Sequence, residues 1–323
     1  MRDIVSPLDG FPSPLRRLRG STAAAFSPAS LFAYGEEGAL LLPGPTTSFL
    51  STTDLTPAGA GDTVGFQLDT SQGAGYSGGS FTGLGSELVT NGTFDSDVSG
   101  WTTGSLVFGV PSLTNVSSRA RISGTATNGF PYFAQSFSTT SGKSYRLSVD
   151  YFAGTASGYL FRIGTTPEGF DILNGSVASG SPNNRTIEVV FTATSSTTHI
   201  TFGVGISPAG TYNEWDNISV RELPGRMQTQ ITAAARPTLQ DSPDQIDFDG
   251  VDDFHRVVLP AMSNATVAYA SPGVGAVILT GQTITAGNYD WDTDHAGLII
   301  LDRPLTASET TGLTAFLNAR AGV

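Results

Sequence analysis

Between residues 86 and 223 the apolar positions recur at every second residue. In 143–151, Tyr145, Leu147, Val149 and Tyr151 share one face of an extended strand. In 185–192, Ile187, Val189 and Phe191 do the same, although Val190 breaks strict alternation. Ile200, Phe202 and Val204 repeat the theme in 199–205. Side chains alternate across a strand, so this spacing predicts half-buried strands. In Tyr151-Phe152 one ring must face inward and the other outward. Clusters of Gly, Ser, Thr and Asn separate the runs, which predicts an antiparallel sandwich. Near the C-terminus the period changes. Leu313, Phe316 and Leu317 fall on one helical face, behind Thr306-Ala307-Ser308-Glu309 with the spacing of a capping box. One closing helix is predicted there.

The flanks are β-like but shorter in core. Residues 26–73 carry little apolar mass alone, and 224–323 supply the remainder, with 246–254 and 297–301 as the apolar runs. Gly73 to Gly85 reads as a glycine-rich linker. The expected organisation is an arm over 1–25, a first part of a β unit with its linker over 26–85, an antiparallel sandwich over 86–223, and the second part of the β unit over 224–323. A sandwich whose first and last strands lie side by side can sit between two parts of another unit at little cost to it.

Composition narrows the function. The chain has 323 residues with 39 Gly and 18 Pro, so turns are abundant. Its formal net charge of −12 gives it no electrostatic reason to hold nucleic acid or an anionic membrane. No cysteine is present, which excludes disulfides and thiolate metal sites. Met1 to Gly10 has no continuous apolar stretch, so no secretory signal is expected, and no run suggests membrane insertion. The arm is punctuated by Pro7, Pro12 and Pro14 and is basic at Arg16, Arg17 and Arg19. With Leu8, Phe11 and Leu15 as apolar pegs, it reads as an anchoring arm or as a disordered leader.

Catalytic patterns are absent. There is no G-x-S-x-G, P-loop or dinucleotide fingerprint, and His199, His255 and His295 are dispersed. His199 reads as a core or face residue of a strand. Asp247, Asp249, Asp252 and Asp253 fit a turn or a cation site better than a glycosidase pair. No enzymatic activity is expected.

Three segments carry a resemblance. Asn91-Gly92-Thr93-Phe94-Asp95 with Gly100-Trp101, the run 142–151, and Asp216-Asn217-Ile218-Ser219-Val220 together resemble a carbohydrate-binding module of the jelly-roll type. The resemblance implies a structural Ca²⁺ held by Asp95 and Asp216, with Glu87 as an extra ligand. It also implies that Trp101 is core. Sugar binding needs aromatic faces beside amides or carboxylates. The candidates are Phe130, Tyr132, Tyr159, Phe161, Tyr212 and Trp215, with Asn128, Asn183, Asn184 and Arg185 for hydroxyl contacts. The acidic balance favours a neutral or amino sugar.

The flanks carry a second resemblance. Asp247-Phe248-Asp249-Gly250-Val251-Asp252-Asp253-Phe254 resembles an early strand of laminin-G or concanavalin-A-like domains. Arg303-Pro304-Leu305-Thr306 resembles their last strand. Ser6-Pro7-Leu8 and residues 30–38, 64–73 and 231–254 together resemble virion proteins of phages and gene-transfer agents, with a departure after Gly35. The resemblance implies a homo-oligomeric spike or fibre on a virion surface, attached to other virion proteins and binding a cell-surface polysaccharide. A structural connector without glycan binding and a polysaccharide depolymerase are the alternatives.

Overall fold

Ten strands between Thr102 and Leu223 form two antiparallel five-stranded sheets in a computed structural model that describes residues 26–127, 129–177, 183–205, 208–242 and 244–323. One sheet, here the docked sheet, runs in the order Arg185–Thr192, Ser144–Phe152, Tyr212–Leu223, Ala120–Gly124, Pro111–Asn115. The outer sheet runs Leu173–Asn174, Tyr159–Gly164, Thr197–Val204, Pro131–Ser138, Thr102–Ser105. The chain passes repeatedly from one sheet to the other, as a jelly roll requires. The core between them holds every inward residue of the first run, Tyr145, Leu147, Val149 and Tyr151. Phe152 lies on the opposite face, under the Arg119 guanidinium at 3.5 Å. Phe161 and Phe202 stack in the core at 5.6 Å between centroids, and Trp101 packs edge-on against Phe133 at 5.1 Å.

The flanks make a second sandwich from strands on both sides of that stretch. Gly38–Leu41 pairs with Leu298–Leu301, and Phe66–Gln67 pairs with Gln228–Thr229. A four-stranded and a five-stranded sheet result. Leu298–Leu301 is apolar throughout because both of its faces are covered. Leu298 and Ile300 join the core between the sheets, while Ile299 and Leu301 meet the helix Ala307–Ala321. That helix starts with the expected capping box of Thr306 and Glu309. Leu313 and Leu317 are fully buried beneath it, each stabilising by about 1.5–3 kcal/mol.

Three details of the flanks differ from expectation. The glycine-rich 73–85 stretch is not a plain linker, since Gly75–Ser77 and Ser80–Thr82 form a hairpin. Gly78 and Gly79 sit at φ +60° and +83°, the left-handed pair of a two-residue turn, and Phe81 anchors the hairpin. The acidic run forms the expected turn after the strand Gln245–Asp247, where the resemblance implied an early strand. The Asp249 carboxylate accepts from the Val251 amide at 2.8 Å there. Arg303-Pro304-Leu305-Thr306 follows the last strand and leads into the helix, with Arg303 paired to Glu36 and Glu309.

The two sandwiches share an apolar seam. Phe49, Phe66, Phe81 and Met227 of the flanks pack with Val190 and Leu223 of the docked sheet. At the exit of the jelly roll, Asp69 is fully buried and accepts from the amides of Leu40, Ser71 and Arg226. Burial pushes its carboxyl up to about 6 against these bonds. Gly225, at φ +104°, passes so close that a Cβ would lie 2.5 Å from this carboxylate.

Candidate functional site

The seam opens into a cleft of about 690 Å³ at the edge of the docked sheet. One wall is the flanking loop 53–57 together with Tyr76 of the hairpin. The other is the strand Arg185–Thr192 with the ends of Tyr159 and Phe161. The walls are fastened to each other by the Val190 amide, which donates to the Thr52 carbonyl at 2.8 Å. Strand Arg185–Thr192 is the edge of its sheet, so its outer main-chain groups are free to make that bond.

Three of the sequence candidates meet in this cleft. Arg185 is exposed at the mouth, and its Nη2 donates to the Tyr159 hydroxyl. Its guanidinium carbon lies 5.2 Å from the Tyr159 ring centre. Tyr159 is only 4 % exposed, wedged against Tyr151 and Trp215, so it offers the cleft its hydroxyl and ring edge. Phe161 offers even less, being 1 % exposed. Polar groups surround them. Thr53, Thr56, Thr186, Asp54 and Glu188 line the walls, and Glu188 is paired with Arg146. Tyr76 is half-buried and brings a ring from the flanking hairpin. Sequence reading missed it because a glycine-rich stretch gave no sign of a strand.

The other aromatic candidates are elsewhere. Trp215 is completely buried in the jelly-roll core and cannot serve as a platform. Its neighbour Tyr151 is pushed up to about 12 by burial. Tyr132 lies on the outside of the outer sheet but is 7 % exposed, because the turn carrying Glu168 covers it. Its hydroxyl donates to Glu168, and burial with that carboxylate pushes it up to about 12. Phe130 is half-buried ahead of the same strand, and its carbonyl accepts from the Leu106 amide at 3.2 Å. Tyr212 is half-buried with Arg121 over its ring at 4.0 Å. Asn184 is spent on the Ala153 amide at 2.9 Å, and Asn183 is exposed. Asn128 and the anchoring residues of 1–25 lie outside the described residues. A second cleft, of about 650 Å³, crosses the outer sheet past Ser136, Ser138 and His199.

The expected calcium ligands divide. Asp95 and Asp216 do come near each other, together with Asp150. Burial raises the Asp216 carboxyl, and the charges of Asp150 and Asp95 add to it. Asp150 was not a sequence candidate, since it sits in a different strand and only the pairing Asp150↔Asp216 reveals it. Glu87 does not belong with them. It accepts from Ser219 Oγ at 2.6 Å, the Val220 amide at 2.9 Å and Arg221 Nε at 3.2 Å. Burial works against its ionisation, but these bonds hold its carboxyl below the usual range. Among the described residues, the three carboxylates whose oxygens all lie within 4.8 Å of one another are Asp249, Asp252 and Asp253. Their closeness follows from the turn that Asp249 caps.

The fold and the cleft define an all-β protein of two joined sandwiches with a polar, aromatic-edged groove at their seam. No protein-family model matches the chain, and no curated protein matches it. Solved structures similar to it include a CBM4 carbohydrate-binding module, at 19 % identity and TM-score 0.34, over 42 % of this chain and 99 % of that one. The N-terminal cellulose-binding domain of the Cellulomonas fimi β-1,4-glucanase C is 15 % identical at TM-score 0.33, over 42 % of this chain and 97 % of that one. The enzymatically active domain of bacteriophage CBA120 tailspike protein 4 is 16 % identical at TM-score 0.34, over 42 % of this chain and 21 % of that one.

Proposed function

We propose that the chain is a surface subunit of a phage-like particle that binds a cell-surface polysaccharide in the seam cleft. The observation that supports this reading is the cleft itself. Its volume of about 690 Å³ falls in the range that receives small ligands. Threonine hydroxyls and two carboxylates stand ready to meet sugar hydroxyls, and Tyr76 lies beside them. A sugar ring would lie between the flanking loop and the edge strand, partly wet. Such sites bind weakly one at a time, on the order of micromolar to millimolar. Many copies on one particle would turn that into firm adsorption. Homo-oligomerisation and attachment to other virion proteins through residues 1–25 belong to the same reading. A structural Ca²⁺ near Asp95, Asp150 and Asp216 would brace the jelly roll without touching the ligand.

The reading is one of binding without turnover. A glycan array probed with the full chain tests it, followed by assay of the hits for new reducing ends. Binding without release of reducing ends is expected. Release would replace the reading with a depolymerase. No binding to any glycan would favour a connector.

A further inference from the structure

Resting on the saccharide reading of the seam cleft, we infer that its ligand is an acidic saccharide, whose carboxylate pairs with Arg185 while its hydroxyls face Asp54 and the threonines. The reasoning starts from local charge. The whole chain carries −12, which favours a neutral sugar only if the site shares the average. The cleft does not. Glu188 is already matched by Arg146. Asp54 Oδ1 accepts from the Thr56 amide at 3.2 Å. Among the described residues Arg185 has no ion-pair partner, as is also true of Lys143, Arg162, Arg236 and Arg320, but of these five cations Arg185 is the one that lines the cleft.

Arg185 is also held in place. Its Nη2 is committed to the Tyr159 hydroxyl, and Tyr159 is locked in the core by Tyr151 and Trp215. One arm of the guanidinium is therefore fixed, and its other donors remain for a ligand. A planar fork with its orientation already set favours a planar carboxylate over a single hydroxyl. Fixing it beforehand also removes part of the ordering cost that a free surface arginine would incur on binding. Tyr159 is then a positioning residue, acting through Arg185. The cleft offers an unpaired cation at Arg185 on one wall and, on the other, the Asp54 carboxylate and threonine hydroxyls, which matches a hexuronate whose carboxylate sits at Arg185 and whose hydroxyls face Asp54.

The test is calorimetric titration of the full chain with oligogalacturonate, its fully methyl-esterified form, and a chitosan oligomer. The ester keeps the same rings and removes the charge. We expect the acid to bind roughly tenfold tighter than the ester, the gain of one charge-assisted contact. Raising the salt should shrink that ratio. R185Q should bring the ratio to about one, and R185K should restore part of it. Y159F, which releases the guanidinium, should lower the ratio while leaving the thermal melt nearly in place. Equal binding of acid and ester, or tighter binding of chitosan, would overturn the acidic ligand and leave the saccharide cleft standing. An unchanged acid-to-ester ratio in a folded R185Q would remove Arg185 from the role. Binding of none of the three, alongside array hits that are all neutral, would also reject the acidic ligand. An empty array would reject both readings.

Discussion

The amide of Val190 donates to the carbonyl of Thr52 at 2.8 Å, and this bond joins an edge strand of the jelly roll to a loop of the flanking sandwich. Around it, Val190 is buried against the aromatic cluster of Phe49, Phe66 and Phe81. The jelly roll is thus seated on its neighbour as well as tethered to it. Val190→Ala removes two buried methyl groups and should cost about 2 kcal/mol, read as a shift in the urea midpoint. A variant as stable as the parent would mean that the seam is not a packed interface.

The ends of the jelly roll meet. The Gly85 amide donates to the Glu222 carbonyl at 2.9 Å, and the Leu88 amide to the Val220 carbonyl at 3.0 Å. A short Gly-Ser bridge in place of 86–223 should leave a remainder that still melts cooperatively, at a lower temperature because the seam is exposed. The excised 84–224 should also melt as one unit. Loss of cooperative melting in both pieces would sink the picture of a carrier with an insert.

Acid should weaken the flanking sandwich first. His255 and His295 are fully buried there, and three of their four ring nitrogens have no hydrogen-bond partner. Burial lowers them to about 4 and about 3, with each other and Arg320 as the charged neighbours acting on His295. Both are neutral when folded and protonate when unfolded near pH 6.5. Their contribution is therefore intact above that pH and is lost as the pH falls through this window. At pH 5 each costs about 2 kcal/mol relative to pH 7. Asp69 acts in the opposite sense. Its raised carboxyl favours the folded state below about 6 and offsets about 1 kcal/mol. Denaturant midpoints should fall between pH 7 and pH 5, and His295→Gln should flatten the fall. A pH-independent midpoint would contradict the assignment.

Calcium should act on the jelly roll through Asp216. Added Ca²⁺ is expected to raise the melting temperature, and D216N or D150N to abolish the rise. E87Q should leave the response to Ca²⁺ unchanged and lower stability only by the loss of its bonds to Ser219 and Arg221. A calcium response that disappears in E87Q would restore Glu87 as a ligand.

Removing residues 1–25 should spare both folded sandwiches and abolish incorporation into the particle. Copy number per particle, measured by quantitative mass spectrometry, decides this. Normal incorporation of the truncated chain would free the arm of that role.

Much of the fold was legible because alternation records which face is buried. Tyr145 to Tyr151 and Ile200 to Val204 obey it, and all of their inward residues are core. The break at Val190 was legible too, but its cause was not. Both faces of that strand are covered, one by the jelly-roll core and one by the aromatic cluster of Phe49, Phe66 and Phe81. Leu160 between Tyr159 and Phe161 has the same explanation, with Tyr132 and Ala134 beside it. The site was harder to read. A sequence shows that an aromatic exists but not which face its ring presents, and so Trp215 looked as exposed as Tyr212. Tyr76 and Asp54 were invisible because they reach the cleft from another sandwich.

The most direct test of the central claim is a crystal structure of the full chain with an oligosaccharide taken from the array. The account predicts sugar density in the seam cleft, between Tyr76 and Arg185, with hydroxyls on Thr53, Thr56 or Asp54. Density confined to the outer-sheet cleft beside His199, with the seam empty, would contradict it.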